Sequence, residues 1–358
     1  MRENGKSAVL IMNDGSVIHG RGFGHSCARA GELVFNTAMQ GYQEGLTDPS
    51  YAGQLLVSTY PLAGNYGIND YSFESDKIQA EGYIVRELCE FPEHMDSKKS
   101  LDEFLKEYER PGIEGVDTRS LVLKLRNRGV MPAILAVSDK PLNVKELLEN
   151  LKYDYSNIDF ISNLTVKKPE EYGTGKKRIV LIDYGVKRSI INELVALGLK
   201  VIVVPAHESA ETIKSFEPEG IVLSSGPGNP AILDYAHETI RKLAGYDYPM
   251  FGICLGNQLI AHAFGGDTYK LKFGHRGVNH PVIDLEDNRV RITTQNHGFA
   301  VGKAPKGFEI SHKSANDGSV EGLRREDGRV FSVQYHPEST PGPHDSRMLF
   351  NRFVKMLG

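Results

Sequence analysis

Cysteine is scarce in this chain of 358 residues: Cys27, Cys89 and Cys254 are widely spaced and odd in number. That argues against a disulfide framework and against a zinc module, and it fits a reducing cytoplasm. No apolar run approaches the length needed to cross a bilayer. The N-terminal Met1-Arg2-Glu3-Asn4-Gly5-Lys6 has no signal-peptide core after it. Excess charge of one sign is also missing, since 42 Lys and Arg face 46 Asp and Glu for a net charge of −4. Nothing in that balance points to nucleic acid or to an anionic membrane. There is no low-complexity tract and no fixed-period repeat. The length suits two domains, each large enough for its own core.

The first of these, residues 1–150, reads as mixed α and β. Ala8 to Met12 and Val17 to Gly20 flank Asn13-Asp14-Gly15-Ser16, a hairpin signal. Gly31 to Met39, Leu55 to Tyr60 and Val130 to Val137 are strand-like, and helices are predicted over Lys99–Glu109 and Thr118–Arg128, the second capped by Asp117. Periodicity alone assigns this half no chemistry, and Asp48-Pro49-Ser50-Tyr51 is by default a structural turn. Residues 151–177 are rich in Tyr, Asn, Lys, Pro and Gly and read as an interdomain connection.

From Arg178 the rhythm is regular. Short apolar strands at Ile179–Ile182, Val201–Val204, Ile221–Leu223 and before Cys254 alternate with helical patterns. That predicts a mostly parallel open sheet with helices on both faces, its site in loops beyond the C-terminal strand ends. Asp183-Tyr184-Gly185 and Ser224-Ser225-Gly226-Pro227-Gly228 fall at that end, and so does Phe251-Gly252-Ile253-Cys254-Leu255-Gly256-Asn257-Gln258. The last stretch has the Gly-x-nucleophile-x-Gly pattern of a strand-to-helix elbow, with sulfur as the nucleophile. Glycine on both sides removes side chains that would collide with strand and helix, and the helix N-terminus favours a thiolate. A lone cysteine is otherwise a small buried core residue.

The elbow needs a base. The strand Val330–Tyr335 runs into His336-Pro337-Glu338, where imidazole and carboxylate two residues apart share one side of an extended segment. Taken alone, the pair reads more readily as a solvated strand end; together with the elbow, the balance reverses. Gly226-x-Gly228 lacks the lysine and spacing of a phosphate loop and suits close backbone approach to a ligand. His275, His280 and His297 are dispersed without metal-ligand spacing, so no metal site is expected. Gln295-Asn296-His297-Gly298-Phe299 is a polar interruption, either an ordinary loop or a recognition loop.

Ser225–Gly228, Gly252–Gly256, Gln258 and His336-Pro337-Glu338, in that order, make residues 178–358 resemble the class I (triad-type) glutamine amidotransferase domain. In the first half, Glu32-x-x-Phe35-Asn36-Thr37, Gly41-Tyr42-Gln43-Glu44, Thr47-Asp48-Pro49-Ser50-Tyr51, Tyr60-Pro61-x-x-Gly64-Asn65 and Asp117-Thr118-Arg119 resemble the small-subunit family of carbamoyl phosphate synthetases. Lys272-Phe273-Gly274-His275-Arg276-Gly277 and Gln295–Phe299 do so as well.

The resemblance implies a glutaminase that feeds ammonia to a separate large subunit, with residues 1–150 contacting that partner. The product would be carbamoyl phosphate made from bicarbonate and ATP, for arginine or pyrimidine biosynthesis or both. It implies Cys254 as nucleophile, His336 as base and acid, and Glu338 as the orienting carboxylate. Ser50, Gly226, Gly228, Leu255, Gln258, Asn296, Gly298 and Phe299 would hold glutamine, with Lys187 a further candidate. No cofactor is expected on this chain, ATP and Mg belonging to the large subunit. One departure stands out: many relatives have histidine where this chain has Asn257, which cannot carry a proton at neutral pH. The competing readings are an amidotransferase subunit of another synthetase, a stand-alone cysteine hydrolase and a silent scaffold subunit.

Overall fold

The computed structural model describes residues 6–358; Met1–Gly5, the start of the N-terminal segment discussed above, lie outside the described residues. The chain divides into two compact units, Met1–Ser156 and Asn157–Gly358.

The N-terminal unit is a closed barrel of seven strands. Lys6–Met12 and Val17–Gly24 form the expected antiparallel hairpin. Its turn is held by the Ser16 N–H donating to Asp14 Oδ1 at 3.0 Å, with Gly15 at φ +82°. Ala28–Asn36, Gln54–Ser58, Gly82–Ile84 and Pro111–Glu114 follow as parallel neighbours, and Met131–Ser138 closes the barrel against Lys6–Met12. The helix expected over Lys99–Glu109 is shorter, Leu101–Glu107. Ser100 and Glu103 form a capping box at its start, and Glu109 takes φ +53° beyond its end, so neither flank stays helical. Thr118–Arg128 begins where Asp117 accepts the Ser120 N–H, as its sequence predicts.

The C-terminal unit is built on a ten-stranded sheet. Leu199–Pro205, Lys177–Asp183, Gly220–Leu223, Met250–Ile253 and Val330–Val333 lie side by side and parallel. Both faces are covered. Along Lys177–Asp183, Ile179 and Leu181 join one apolar cluster with Leu194 and Phe353, while Val180 and Ile182 join another with Ile240 and Leu259. Such burial explains why these strands read as continuous apolar runs. Antiparallel strands extend the sheet, among them the long pair Thr268–Asp284 and Arg289–Val301.

Two expectations change here. The segment read as a bare connection contributes an edge strand, Glu170–Tyr172, paired antiparallel with Leu199–Pro205, and places Ile161 in the core. An edge strand is paired on one side only, so it carries no apolar run to announce it. Gln295–Phe299 is no loop but the middle of Arg289–Val301, with Gln295 opposite Gly277, Asn296 opposite Arg276 and His297 opposite His275. Its polar side chains are buried against one another, so hydropathy gave no sign of a strand.

Candidate active site

Parallel strands end on the same edge of a sheet. Asp183, Ser224, Cys254 and the approach to His336 therefore gather there. Cys254 follows Met250–Ile253 directly and caps the helix Leu255–Ala263, with φ +53° and ψ −100°. A side chain in that region is strained and persists only where its surroundings enforce it. The enforcement is visible in the two glycines. A Cβ on Gly252 would lie 2.7 Å from Ile260 Cδ1 and 2.8 Å from the Gly256 backbone, and one on Gly256 would strike the Leu223 backbone. Strand and helix thus approach more closely than any side chain permits.

Cys254 is 1 % exposed, and its thiol donates to the Asn296 carbonyl at 3.6 Å. His336 is placed by its N–H donating to the Thr294 carbonyl at 2.9 Å. Its Nδ1 lies 2.7 Å from Glu338 Oε1, and its Nε2 is buried with no hydrogen-bond partner. Lys187 Nζ donates to the same Glu338 Oε1 at 3.0 Å and to the Thr340 carbonyl at 2.9 Å. The result is a buried line of cation, carboxylate and imidazole leading to sulfur.

Burial opposes a charged imidazole, but the Glu338 carboxylate and Cys254 outweigh it and raise the His336 pKa to about 10. Burial likewise opposes the Glu338 carboxylate, and the Lys187 and His336 charges overcome it, lowering the pKa to about 2. Lys187, the weakest of the sequence candidates, is thus the group that keeps Glu338 ionised.

Leu255 opens the helix, so its N–H has no intrahelical acceptor and is free to serve a ligand beside the sulfur. Gly226 packs against it: a Cβ there would lie 2.9 Å from Leu255 Cδ2 and would collide with the Tyr184 carbonyl. Gly228 takes φ +95°. Gln258 Nε2 donates to the Phe299 carbonyl at 2.8 Å, tying the helix to the strand that carries Asn296 and Gly298. Ser50 belongs to the N-terminal unit, in the turn Pro49–Tyr51, where Asp48 Oδ1 accepts its N–H at 2.8 Å and its hydroxyl is buried without a partner.

The amino-acid sequence matches the family described as glutamine amidotransferase class-I over residues 180–356, and carbamoyl-phosphate synthase small chain, CPSase domain, over residues 10–135. It is 48 % identical over 357 residues to the carbamoyl phosphate synthase small chain of Methanocaldococcus jannaschii, covering 98 % of each chain. The chain belongs to the carbamoyl phosphate synthase small chain family. The corresponding protein of Archaeoglobus fulgidus is 48 % identical, again over 98 % of both chains. A protein of Halalkalibacterium halodurans named as a pyrimidine-specific small chain is 45 % identical over 97 % of this chain and 96 % of its own. As in its family, the C-terminal unit is a class I glutamine amidotransferase domain.

The small-chain sequence held more site residues than its motifs revealed. Ser332, Gln334 and His336 are spaced two apart and all turn toward the elbow: Ser332 Oγ donates to Asn257 Oδ1 at 2.8 Å, and Gln334 Nε2 donates to Cys254 Sγ at 3.7 Å. That period of two was the available signal for Ser332 and Gln334. Dispersion in sequence also hid a cluster, for His275, His297 and Glu321 each bring one ligand atom within 4.8 Å of the others. Hydrogen bonds engage the histidines. His297 Nδ1 lies 2.7 Å from the Phe299 carbonyl and its Nε2 2.9 Å from Gln295 Oε1, while His275 Nε2 lies 2.9 Å from Asp317. Burial holds the His297 pKa well below the usual imidazole value, and a neutral ring can donate to only one of the Phe299 and Gln295 oxygens. Among the described residues, no helix is long and apolar enough to cross a membrane.

Proposed function

We propose that the chain hydrolyses glutamine to glutamate and ammonia through a Cys254 glutamyl thioester and delivers the ammonia to a large synthetase subunit. The observation that carries the reading is the buried line Lys187–Glu338–His336 leading to a cysteine held at a strained elbow. With its pKa raised to about 10, His336 holds the thiol proton at its buried Nε2 at neutral pH, and the Cys254 thiolate attacks the amide carbon of glutamine. The C–S bond forms as the carbonyl π pair moves to oxygen, beside the N–H groups of Leu255 and the Gly226 loop. The tetrahedral centre collapses with cleavage of the C–N bond, His336 returning its proton to the departing ammonia. Water then attacks the thioester, giving up a proton to His336, and glutamate leaves as the thiol re-forms. Glu338 keeps the imidazole oriented and offsets its positive charge, and Lys187 keeps Glu338 charged. Gly226, Gly228, Gln258, Asn296, Gly298 and Phe299 are proposed to hold glutamine with Leu255.

The partner in this reading is the large subunit of carbamoyl phosphate synthetase, where ATP and Mg activate bicarbonate; this chain is proposed to carry no cofactor. Met39, Tyr71, Phe91 and Met95 are strongly exposed on the N-terminal unit. Arginine or pyrimidine formation would consume the product. Co-expression with the large synthetase chain should give co-purification and glutamine-dependent carbamoyl phosphate formation. Full glutaminase activity of the isolated chain, unchanged by the partner, would count against the reading.

The Asn257 amide is committed to Ser332 and to Gln334, with Nδ2 donating to Gln334 Oε1 at 3.2 Å, so its role here requires no proton. Asn257→His is therefore expected to leave the glutaminase kcat within about tenfold of the parent, 1.4 kcal/mol being the barrier change for tenfold. Steady-state kinetics of parent and variant test this. An inactive parent rescued by histidine would contradict it.

A further inference from the structure

We infer that Gln334 is a further catalytic residue, presenting an amide N–H to the Cys254 sulfur, and that Asn257 and Gln258 are the positioning residues that aim it. The inference rests on Cys254 being the nucleophile.

The orientation follows from one carbonyl. Phe299 O can only accept, and Gln258 Nε2 donates to it at 2.8 Å. The same amide nitrogen has a second hydrogen, directed to Gln334 Oε1 at 3.1 Å. Asn257 Nδ2 donates to that oxygen as well, at 3.2 Å, while Asn257 Oδ1 accepts from Ser332 at 2.8 Å. With its oxygen held by two donors, the Gln334 carboxamide has only its NH2 end to offer the sulfur, 3.7 Å away. Reversing it would set two N–H donors against an N–H and a carbonyl oxygen against sulfur. All four side chains are buried, so water cannot repair such a mismatch.

Three neighbours then divide the work at the sulfur. The Asn296 carbonyl at 3.6 Å favours the thiol, because it needs the proton. His336 Nε2 receives that proton. Gln334 is the partner that gains when the proton leaves, since an N–H donor binds an anion more strongly than a neutral group. This also gives Asn257 a purpose that requires no proton transfer. Asparagine donates to Gln334 and accepts from Ser332 in one protonation state at every pH.

The test is the pH dependence of Cys254 alkylation by iodoacetamide in the full chain, followed by peptide mass spectrometry. Cys27 and Cys89, both free, serve as internal controls. Gln334→Glu keeps the acceptor and replaces the N–H with charge; Gln334→Met removes both ends at similar length. At neutral pH, Cys254 in Gln334→Glu should react about tenfold or more slowly, the size expected for losing a hydrogen bond to a charged group. Its rate profile should move to higher pH, Gln334→Met should move less in the same direction, and the controls should not change. Asn257→Leu should shift the profile in the parent but not in Gln334→Met. An equal shift in both backgrounds would overturn its positioning role. An unshifted profile in either folded Gln334 variant would overturn the inference, and if one variant does not fold the other decides. If alkylating Cys254 in the parent leaves glutamine hydrolysis intact, the nucleophile reading itself fails, a result distinct from the others.

Discussion

Cys254→Ala is expected to lower glutamine hydrolysis by about six orders of magnitude, as removal of a nucleophile, the role proposed for Cys254, does where a triad acts as a unit. Nothing else at the elbow can replace it: Gly252 and Gly256 lack side chains, and Asn257 is committed to Ser332 and Gln334. Ammonia-dependent carbamoyl phosphate formation by the proposed assembly with a large chain should survive, since in the proposed reaction this step supplies only ammonia. Loss of both activities would point to a structural fault instead. Cys254→Gly sharpens the test. The backbone at φ +53° costs a side-chain residue about 1–3 kcal/mol, which glycine does not incur. Glycine gives back about 0.5–1 kcal/mol through the entropy of its unfolded chain. The glycine variant should therefore be inactive, with a thermal midpoint no lower than that of Cys254→Ala. A distinctly lower midpoint would contradict the strain assigned to the elbow.

His336→Asn should reduce glutaminase turnover by about 10³-fold or more, because it removes the imidazole that the Cys254 sulfur helps to charge. Stability carries a second, independent signature of the same residue. The His336 pKa is raised from 6.5 to about 10, so the folded state binds its proton more tightly than the unfolded chain. Its contribution is complete below pH 6.5 and is lost as pH rises through about 10. Glu338 runs the other way. Lowered from 4.5 to about 2, it stabilises above pH 4.5, and that contribution is lost as pH falls through about 2. Thermal midpoints against pH should thus decline at both ends in the parent. In Glu338→Gln both declines should flatten, because the carboxylate is the larger of the charges raising His336. An unchanged alkaline limb in Glu338→Gln would show that the imidazole is not held by this carboxylate.

Much of this was legible in the residues because it depends on short range. The elbow needs glycine on both sides of Cys254, the hairpin needs Asp14-Gly15, the helix at Thr118 needs Asp117, and His336 and Glu338 share a side at a spacing of two. Continuous apolar strands after Arg178 reported a sheet covered on both faces, because burial on two sides removes the polar alternation.

Other features depended on partners distant in sequence. Gln295–Phe299 looked like a loop because its polar groups find buried partners in the folded sheet: Gln295 with Glu321 on another strand, and His297 with the carbonyl two residues on. Lys187 gained its role only when chain crossover brought it 3.0 Å from Glu338, 151 residues away. Gln334 stood beside His336 throughout, yet only the Phe299 carbonyl, acting through Gln258, decided which end of its amide meets the sulfur. Composition and spacing determined which side chains could do chemistry here. Tertiary structure decided their ionisation and orientation, because a charge or an amide dipole in a buried site is set by whatever the fold places against it.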